Sequence, residues 1–169
     1  MGYNAKQFAE HANLKSSKII KKWFEAGYLG KSSRNERGVY DIPFDTPVPF
    51  LANSRVKKNS VLWEQLLMAA DNNQSVFKSM FPLITEENFN RQLNLLVSEG
   101  FIEIIQVNTY LDYLSLRPNG FELLQKLSDN KQRKSILYKL NSAISASKNI
   151  TSIMQVLTSL GIFIATDVF

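Results

Sequence analysis

Asn4-Ala5-Lys6-Gln7-Phe8-Ala9-Glu10-His11-Ala12, then Asn13-Leu14-Lys15-Ser16-Ser17, then Lys18-Ile19-Ile20-Lys21-Lys22-Trp23-Phe24-Glu25-Ala26-Gly27, is the stretch on which the architecture turns. Ala5, Phe8, Ala9 and Ala12 stand at i, i+3, i+4 and i+7, one face of a short helix that Asn4 can cap. Asn13-Leu14 interrupts it. Ser16 or Ser17 can cap a second helix whose inward face is Ile19, Ile20, Trp23 and Phe24 and whose end is marked by Gly27. Two short helices joined by a tight turn result.

With those apolar residues inward, Lys15, Ser17, Lys18, Lys21 and Lys22 fall on or beside the outward face of the second helix. A helix fits the major groove of duplex DNA, and ammonium groups along its flank sit at phosphate-contact spacing. Lysines supply affinity, whereas short polar groups near the helix start, here Ser16, Ser17 and Asn13, can approach base edges. The plain alternative is a solvated lysine face.

Downstream, Tyr28-Leu29-Gly30 leaves the second helix, Lys31-Ser32-Ser33-Arg34-Asn35-Glu36-Arg37-Gly38 is polar, and Val39-Tyr40-Asp41-Ile42-Pro43 alternates like a strand. That is a hairpin with a basic tip at Arg34 and Arg37. Prolines at 43, 47 and 49 and a run without apolar period up to Asn59 predict a linker over 50–59, which bounds a first domain at 1–49. Residues 1–58 carry 11 Lys/Arg against 5 Asp/Glu, and residues 59–169 carry 9 against 10, so the excess positive charge lies in the first third. A polyanionic partner for that third is the reading to test.

A second domain is expected over 60–128. Leu62, Trp63, Leu66, Leu67 and Ala70 give a helical face; Val76 to Phe81 is a short segment before Pro82; Thr85-Glu86-Glu87-Asn88 looks like a cap leading a helix to Gly100. Phe101 to Val107 and Leu111 to Leu116 read as strands, and Pro118-Asn119-Gly120 starts another helix. Its candidate recognition helix has one base, Arg91, against Glu86, Glu87 and Glu99, so it is poorly equipped for phosphate. Asn88, Arg91 and Gln92 form a candidate second reading set, beside the alternative of a protein-binding module.

Over 129–169, Ile136, Leu140, Ala143, Ser147, Ile150, Met154, Leu157, Gly161, Ile164 and Val168 follow steps of four and three. That is a heptad pattern and predicts one long helix seeking a partner. The partner could be a second copy, giving a homodimer through Ile136, Leu140, Ile150, Met154, Leu157 and Ile164. It could instead be the chain's own second domain, or lipid. Residues 149–166 hold no charge, but Thr151, Ser152, Gln155, Thr158 and Ser159 dilute the run and disfavour membrane insertion.

Enzymatic readings fail for want of residues. There is no Cys, and the sole His, His11, has no nucleophile constellation around it in sequence. The glycines are too far apart for a phosphate-cradling loop. No catalytic residue, no metal and no cofactor is expected. The absence of Cys and of an apolar leader at Met1-Gly2-Tyr3-Asn4 fits a cytoplasmic protein. A hydrophobic content of 44%, with 2 Trp, 6 Tyr and 11 Phe, is enough for packed cores.

Residues 3–49 resemble the excisionase-type branch of the MerR-like winged-helix DNA-binding proteins. The resemblance is carried by Asn4 to Glu10 as opening helix, Leu14 to Phe24 as recognition helix, Glu25-Ala26-Gly27-Tyr28-Leu29 as the turn into the wing, and Gly38-Val39-Tyr40-Asp41-Ile42-Pro43 as its closing strand. It implies a recognition helix in the major groove, with Arg34 or Arg37 near phosphate or the minor groove. Residues 60–128 resemble MarR-like winged helices in element order and in Leu116-Arg117-Pro118-Asn119-Gly120-Phe121-Glu122-Leu123-Leu124.

The expected fold is thus mainly α (α+β), with two small winged-helix domains followed by a long C-terminal helix. The expected function is sequence-specific binding of double-stranded DNA by a non-enzymatic transcription regulator of bacterial, phage or plasmid type. An architectural role in excision, replication or segregation, or a protein-interaction or membrane-tethered adaptor, are the alternatives.

Overall fold

A computed structural model describes residues 1–50, 55–106, 112–146, 153–159 and 161. Among the described residues the chain is mostly helical with two small antiparallel sheets, which fits an α or α+β class. In order come α1 (Ala5–His11), α2 (Lys18–Glu25), β1 (Ser33–Arg34), β2 (Tyr40–Asp41), α3 (Asn59–Asp71), a single 3-10 turn (Lys78–Met80), α4 (Glu86–Ser98), β3 (Ile102–Gln106), β4 (Asp112–Leu116), α5 (Pro118–Leu127), α6 (Arg133–Ala146) and α7 (Ile153–Ser159).

Two apolar cores organise these elements. The smaller is Phe8, Ile20, Trp23, Leu29 and Ile42, with Phe8 and Trp23 edge to face at 6.5 Å. Asn4 caps α1 reciprocally: its side chain accepts from the Gln7 amide at 2.8 Å while Gln7 Oε1 accepts from the Asn4 amide at 2.9 Å. Such a capping box stabilises by about 1 kcal/mol. Asn13, at φ 59, then turns the chain. Its amide bonds to Glu10 O and the Leu14 amide to Ala9 O, the paired bonds of a Schellman stop. A two-way pairing of Tyr3 with Ile42 closes this unit.

The larger core is built round α3. Eight of its residues are buried, Ser60, Leu62, Trp63, Glu64, Leu66, Leu67, Ala69 and Ala70, so they spread well beyond one stripe. A helix apolar on most sides must be central, and α3 packs against α4, α5, α6 and β4. The β3–β4 ladder pairs Ile102 with Leu116 and Gln106 with Asp112. At the start of α5, Gly120 comes so close to the carbonyl of Phe101 that a Cβ would overlap it at 2.1 Å.

The tail departs from the single long helix expected. α6 and α7 are separate helices packed against each other. Ile136, Leu140 and Leu157 are buried in the larger core, and Met154 packs against it, so these candidate dimerisation residues are occupied within the chain. Ile150 and Ile164 lie outside the described residues. The Ile153 amide, at the start of α7, donates to Glu99 Oε1 at 3.4 Å and ties α7 to the end of α4. Heptad spacing marks a buried stripe and is equally served by folding the helix back onto its own core.

Burial of Glu64 follows from the central place of α3, and Arg133 at the start of α6 answers it. Arg133 Nε and Nη2 donate to the two carboxylate oxygens at 2.8 and 2.6 Å. That pairing raises the Arg133 pKa above its usual value, mainly through the Glu64 hydrogen bond. Arg133→Ala leaves a carboxylate whose side chain is 8% exposed without its partner. Since Arg133 itself is half in solvent, the expected cost is about 2 to 3 kcal/mol, below or at the foot of the range for fully buried pairs. Urea titration followed by circular dichroism checks it, and an unchanged midpoint would refute the role of the pair.

Among the described residues, two sets of contacts join the two cores. Tyr28, just past α2, stacks on Phe77 at 4.2 Å and 8°, and its hydroxyl hydrogen-bonds to Ser79. Within the expected linker over 50–59, the described residues Phe50 and Val56 are held. Phe50 N donates to Ser75 O at 2.8 Å and Ser75 N to Val48 O at 3.1 Å, while Val56 is buried in the larger core.

Candidate nucleic-acid interface

The second helix has the division of faces that its sequence predicts. Ile20 is fully buried and Trp23 is buried, while Ile19 and Phe24 are half-buried against the same core. Lys15, Lys18, Lys21 and Lys22 are all exposed. Four ammonium groups therefore stand on one eight-residue helix and the turn that enters it. Lys21 lies 4.0 Å from Glu25, both well exposed. A solvent-exposed pair of this kind is worth about 0 to 1 kcal/mol and yields readily to a phosphate.

Ser16 and Ser17 are both exposed but differ in use. Ser16 Oγ accepts from the Lys18 amide at 3.2 Å, whereas Ser17, at the formal cap position, makes no capping bond with its side chain. Sequence offered either serine as the cap. His11 is exposed in the last turn of α1, stacked on Tyr3 at 5.0 Å.

The hairpin between β1 and β2 is a short, pre-shaped loop. Ser33 pairs with Asp41 and Arg34 with Tyr40. Asn35 holds the tip: its side-chain oxygen accepts from the amides of Arg37 (2.9 Å) and Val39 (3.0 Å). This is the local backbone capture at which Asn excels. Gly38, at φ +80, completes the turn, and a Cβ there would press on the Arg34 guanidinium at 3.2 Å. Arg34 lies over the Tyr40 ring, 5.2 Å from its centroid, and the Tyr40 ring also packs on Phe24 of α2, with centroids 5.2 Å apart and planes at 74°. Cation–π contact thus orders Arg34 against the same residues that seat α2. Arg37 stands exposed at the tip.

The candidate second reading set is brought together for another purpose. Gln92 is 1% exposed, and its Oε1 accepts from Trp63 Nε1 at 2.9 Å. Its amide donates to Asn88 Oδ1 at 3.2 Å, and Asn88 in turn donates to Asn59 Oδ1 at 2.8 Å. Asn88 and Gln92 are therefore parts of an internal polar network that ties α4 to α3, not groups presented to a base. Arg91 is exposed and donates to Asn88 Oδ1 at 3.0 Å. A buried indole N–H requires an acceptor, and Trp63 was the signal in the sequence that one of the polar residues of α4 had to turn inward.

Among the described residues no three of His, Asp and Glu gather at metal-ligand spacing. None of the described helices is long and apolar enough to cross a membrane. Comparisons of the chain with protein-family models, with curated proteins and with solved structures give no match.

Proposed function

We propose that the chain is a sequence-specific double-stranded DNA-binding protein whose reading head is the unit of residues 1–49, an excisionase-type winged helix of the MerR-like kind. The observation that carries this reading is the lysine face of α2: Lys15, Lys18, Lys21 and Lys22 are all exposed while Ile20 and Trp23 beneath them are buried. Arg34 and Arg37, on a hairpin packed against α2 through Tyr40 and Phe24, extend that positive surface. A helix for the major groove and a basic wing for the flanking backbone is the division of labour that duplex recognition needs.

In this reading residues 60–128, with their order of three helices, two strands and a helix once the 3-10 turn Lys78–Met80 is counted as the middle helix, are a second winged helix that serves as body and partner-binding module. A transcription regulator of bacterial, phage or plasmid type, working in the cytoplasm without a cofactor, is the biological form proposed. The described part of the tail's apolar stripe, Ile136, Leu140, Met154 and Leu157, is used internally, so a homodimer through those residues is not part of this reading.

Titration of full-length protein against fluorescent duplex fragments from its own genetic neighbourhood, across a salt series and beside shuffled duplexes, tests the reading. Selective binding with a steep salt dependence is expected. Binding that is absent at low salt overturns the proposal, and salt-sensitive binding without any sequence preference points to the architectural role instead.

A further inference from the structure

The helices α1 to α4 all stop in the same way. In each, one amide past the cap bonds the carbonyl three residues back, and the next amide bonds the carbonyl five residues back. Such a stop puts one residue in the left-handed region, where glycine fits with the least strain. Two of the four comply, with Gly27 (φ 81) after α2 and Gly100 (φ 78) after α4. The other two use Asn13 (φ 59) after α1 and Asn73 (φ 51) after α3, the non-glycine residues at positive φ among those described. Asparagine tolerates this backbone less well than glycine, and what it adds is a side-chain amide. Neither amide side chain pairs with another group among the described residues, so an internal hydrogen bond does not account for the choice. The two stops belong to different cores, yet both asparagines line a single cleft of about 470 Å³.

That cleft lies where the two cores meet, and a lobe of about 290 Å³ continues from it toward Trp23 and Phe50. Small-molecule sites have volumes of about 300 to 1,000 Å³ and favour the junctions of domains. The lining holds further amides in Asn72 and Gln74 and the hydroxyls of Thr46 and Tyr113. It contains no Lys or Arg, and its one carboxylate is Asp45. Such a set of groups does not attract an anion; it suits an uncharged ligand with donors and acceptors at its edge.

An aromatic wall adds the second half of the specificity. Phe44 lines the cleft and is 60% exposed, although it is held edge-on against Tyr3 at 4.7 Å. Tyr3 is in turn stacked at 5.0 Å on His11, which lines the cleft as well. Aromatic rings ordered by their neighbours and left open on a face are platforms for a planar ring. Carboxamides beside them can read its edge, because each offers a donor and an acceptor side by side.

We propose that this cleft binds a small uncharged heteroaromatic molecule of nucleobase or nucleoside class, stacked on Phe44 and His11 and held at its edge by Asn13 and Asn73. The site is separate from the lysine face of α2 and does not depend on the DNA-binding reading. Since its walls come from both cores, an occupant bridges them.

The test titrates adenosine, guanosine, cytidine and uridine separately into the full chain by calorimetry and reads the Tm at saturating nucleoside. At least one is expected to bind at a single site per chain and to raise the Tm. No binding by any of the four overturns the proposal. Asn13→Gly/Asn73→Gly removes both amides while giving each stop the residue its backbone favours, so its Tm without ligand should stay near that of wild type. Its nucleoside affinity is expected to fall about 25-fold, roughly fivefold for each hydrogen bond lost. Phe44→Ala, at an exposed position, should weaken binding about tenfold through loss of one stacked ring, and it gives an independent reading should the glycine pair disturb the fold. Affinities unchanged in both variants place any binding elsewhere and overturn the site. The corresponding nucleoside monophosphate is expected to bind no more tightly than the nucleoside, and tighter binding overturns the assignment to an uncharged ligand.

Discussion

With Lys15, Lys18, Lys21 and Lys22 all changed to alanine, the salt dependence of duplex binding is expected to drop by about 3.6 in log–log slope, which over a rise from 50 to 200 mM salt is a difference of roughly two powers of ten. Each lysine is exposed, and the residues that seat α2 lie on its other side, so the fold should be unaffected. Surface substitutions of this kind usually move stability by about 0.5 kcal/mol or less. Arg34 and Arg37 remain in this variant and should leave a weak, unselective residue of binding. Loss on α2 should also erase preference for a cognate duplex, because the proposed head would no longer seat in the groove. If the quadruple variant keeps both the slope and the preference, the lysine face is solvated surface and the reading head is elsewhere.

Trp63→Ala is expected to cost about 4 kcal/mol, within the usual range for deleting a buried indole. Trp63 is wholly buried, tilted against Phe101 at 5.2 Å, and it satisfies Gln92. The alanine both opens a cavity beside the central helix and strands the Gln92 carbonyl, which adds about 1 to 3 kcal/mol if no other donor reaches it. Against a total stability of about 5 to 15 kcal/mol for an ordinary domain, the larger core would be close to unfolding at ambient temperature. Gln92→Leu, which strands the indole N–H and removes the donor to Asn88 Oδ1, should cost about 2 kcal/mol. Trp63→Phe combined with Gln92→Leu removes both ends of the bond and should be milder than the sum of its parts. Urea unfolding curves for the three variants decide the matter, and a Trp63→Ala midpoint near that of wild type would show that the network does not hold α4 to α3.

What was legible in the sequence was local. The cap at Asn4, the inward Ile20 and Trp23, the cap at Thr85 and the start of α5 at Pro118 depend on neighbours within one or two turns, and the chain writes those neighbours next to each other. The lysine face of α2 belongs to the same class. Pairings between distant segments were not legible: Tyr3 with Ile42, Phe50 with Ser75, and Glu64 with Arg133 join residues that no period or motif relates. Of the tail's heptad stripe, Ile136, Leu140, Ala143 and Leu157 are buried among the described residues, and the spacing alone left open whether a second chain or the chain's own core would cover them. Asn88 and Gln92 misled for a complementary reason: polar residues on a helix ordinarily face water, and only the buried indole opposite them reverses that expectation.

The double attachment between the two cores has a mechanical meaning for the proposed reading head. A module on a free tether must lose rotational freedom when it engages a site, and lengthening the tether changes only its effective concentration. Here Tyr28 is clamped to Phe77 at one end of the head, and Val48 to Phe50 run beside Ser75 at the other. Two separated anchors suppress rotation about either one, so the unit of residues 1–49 keeps one orientation on the larger core. Torque applied to α2 is then carried through Ser75 to Asp112 at the start of β4, whose carbonyl accepts from the Ser75 hydroxyl, and on into the core around α3. The prolines at 47 and 49 act in this arrangement as a stiff coupling rod and not as a leash.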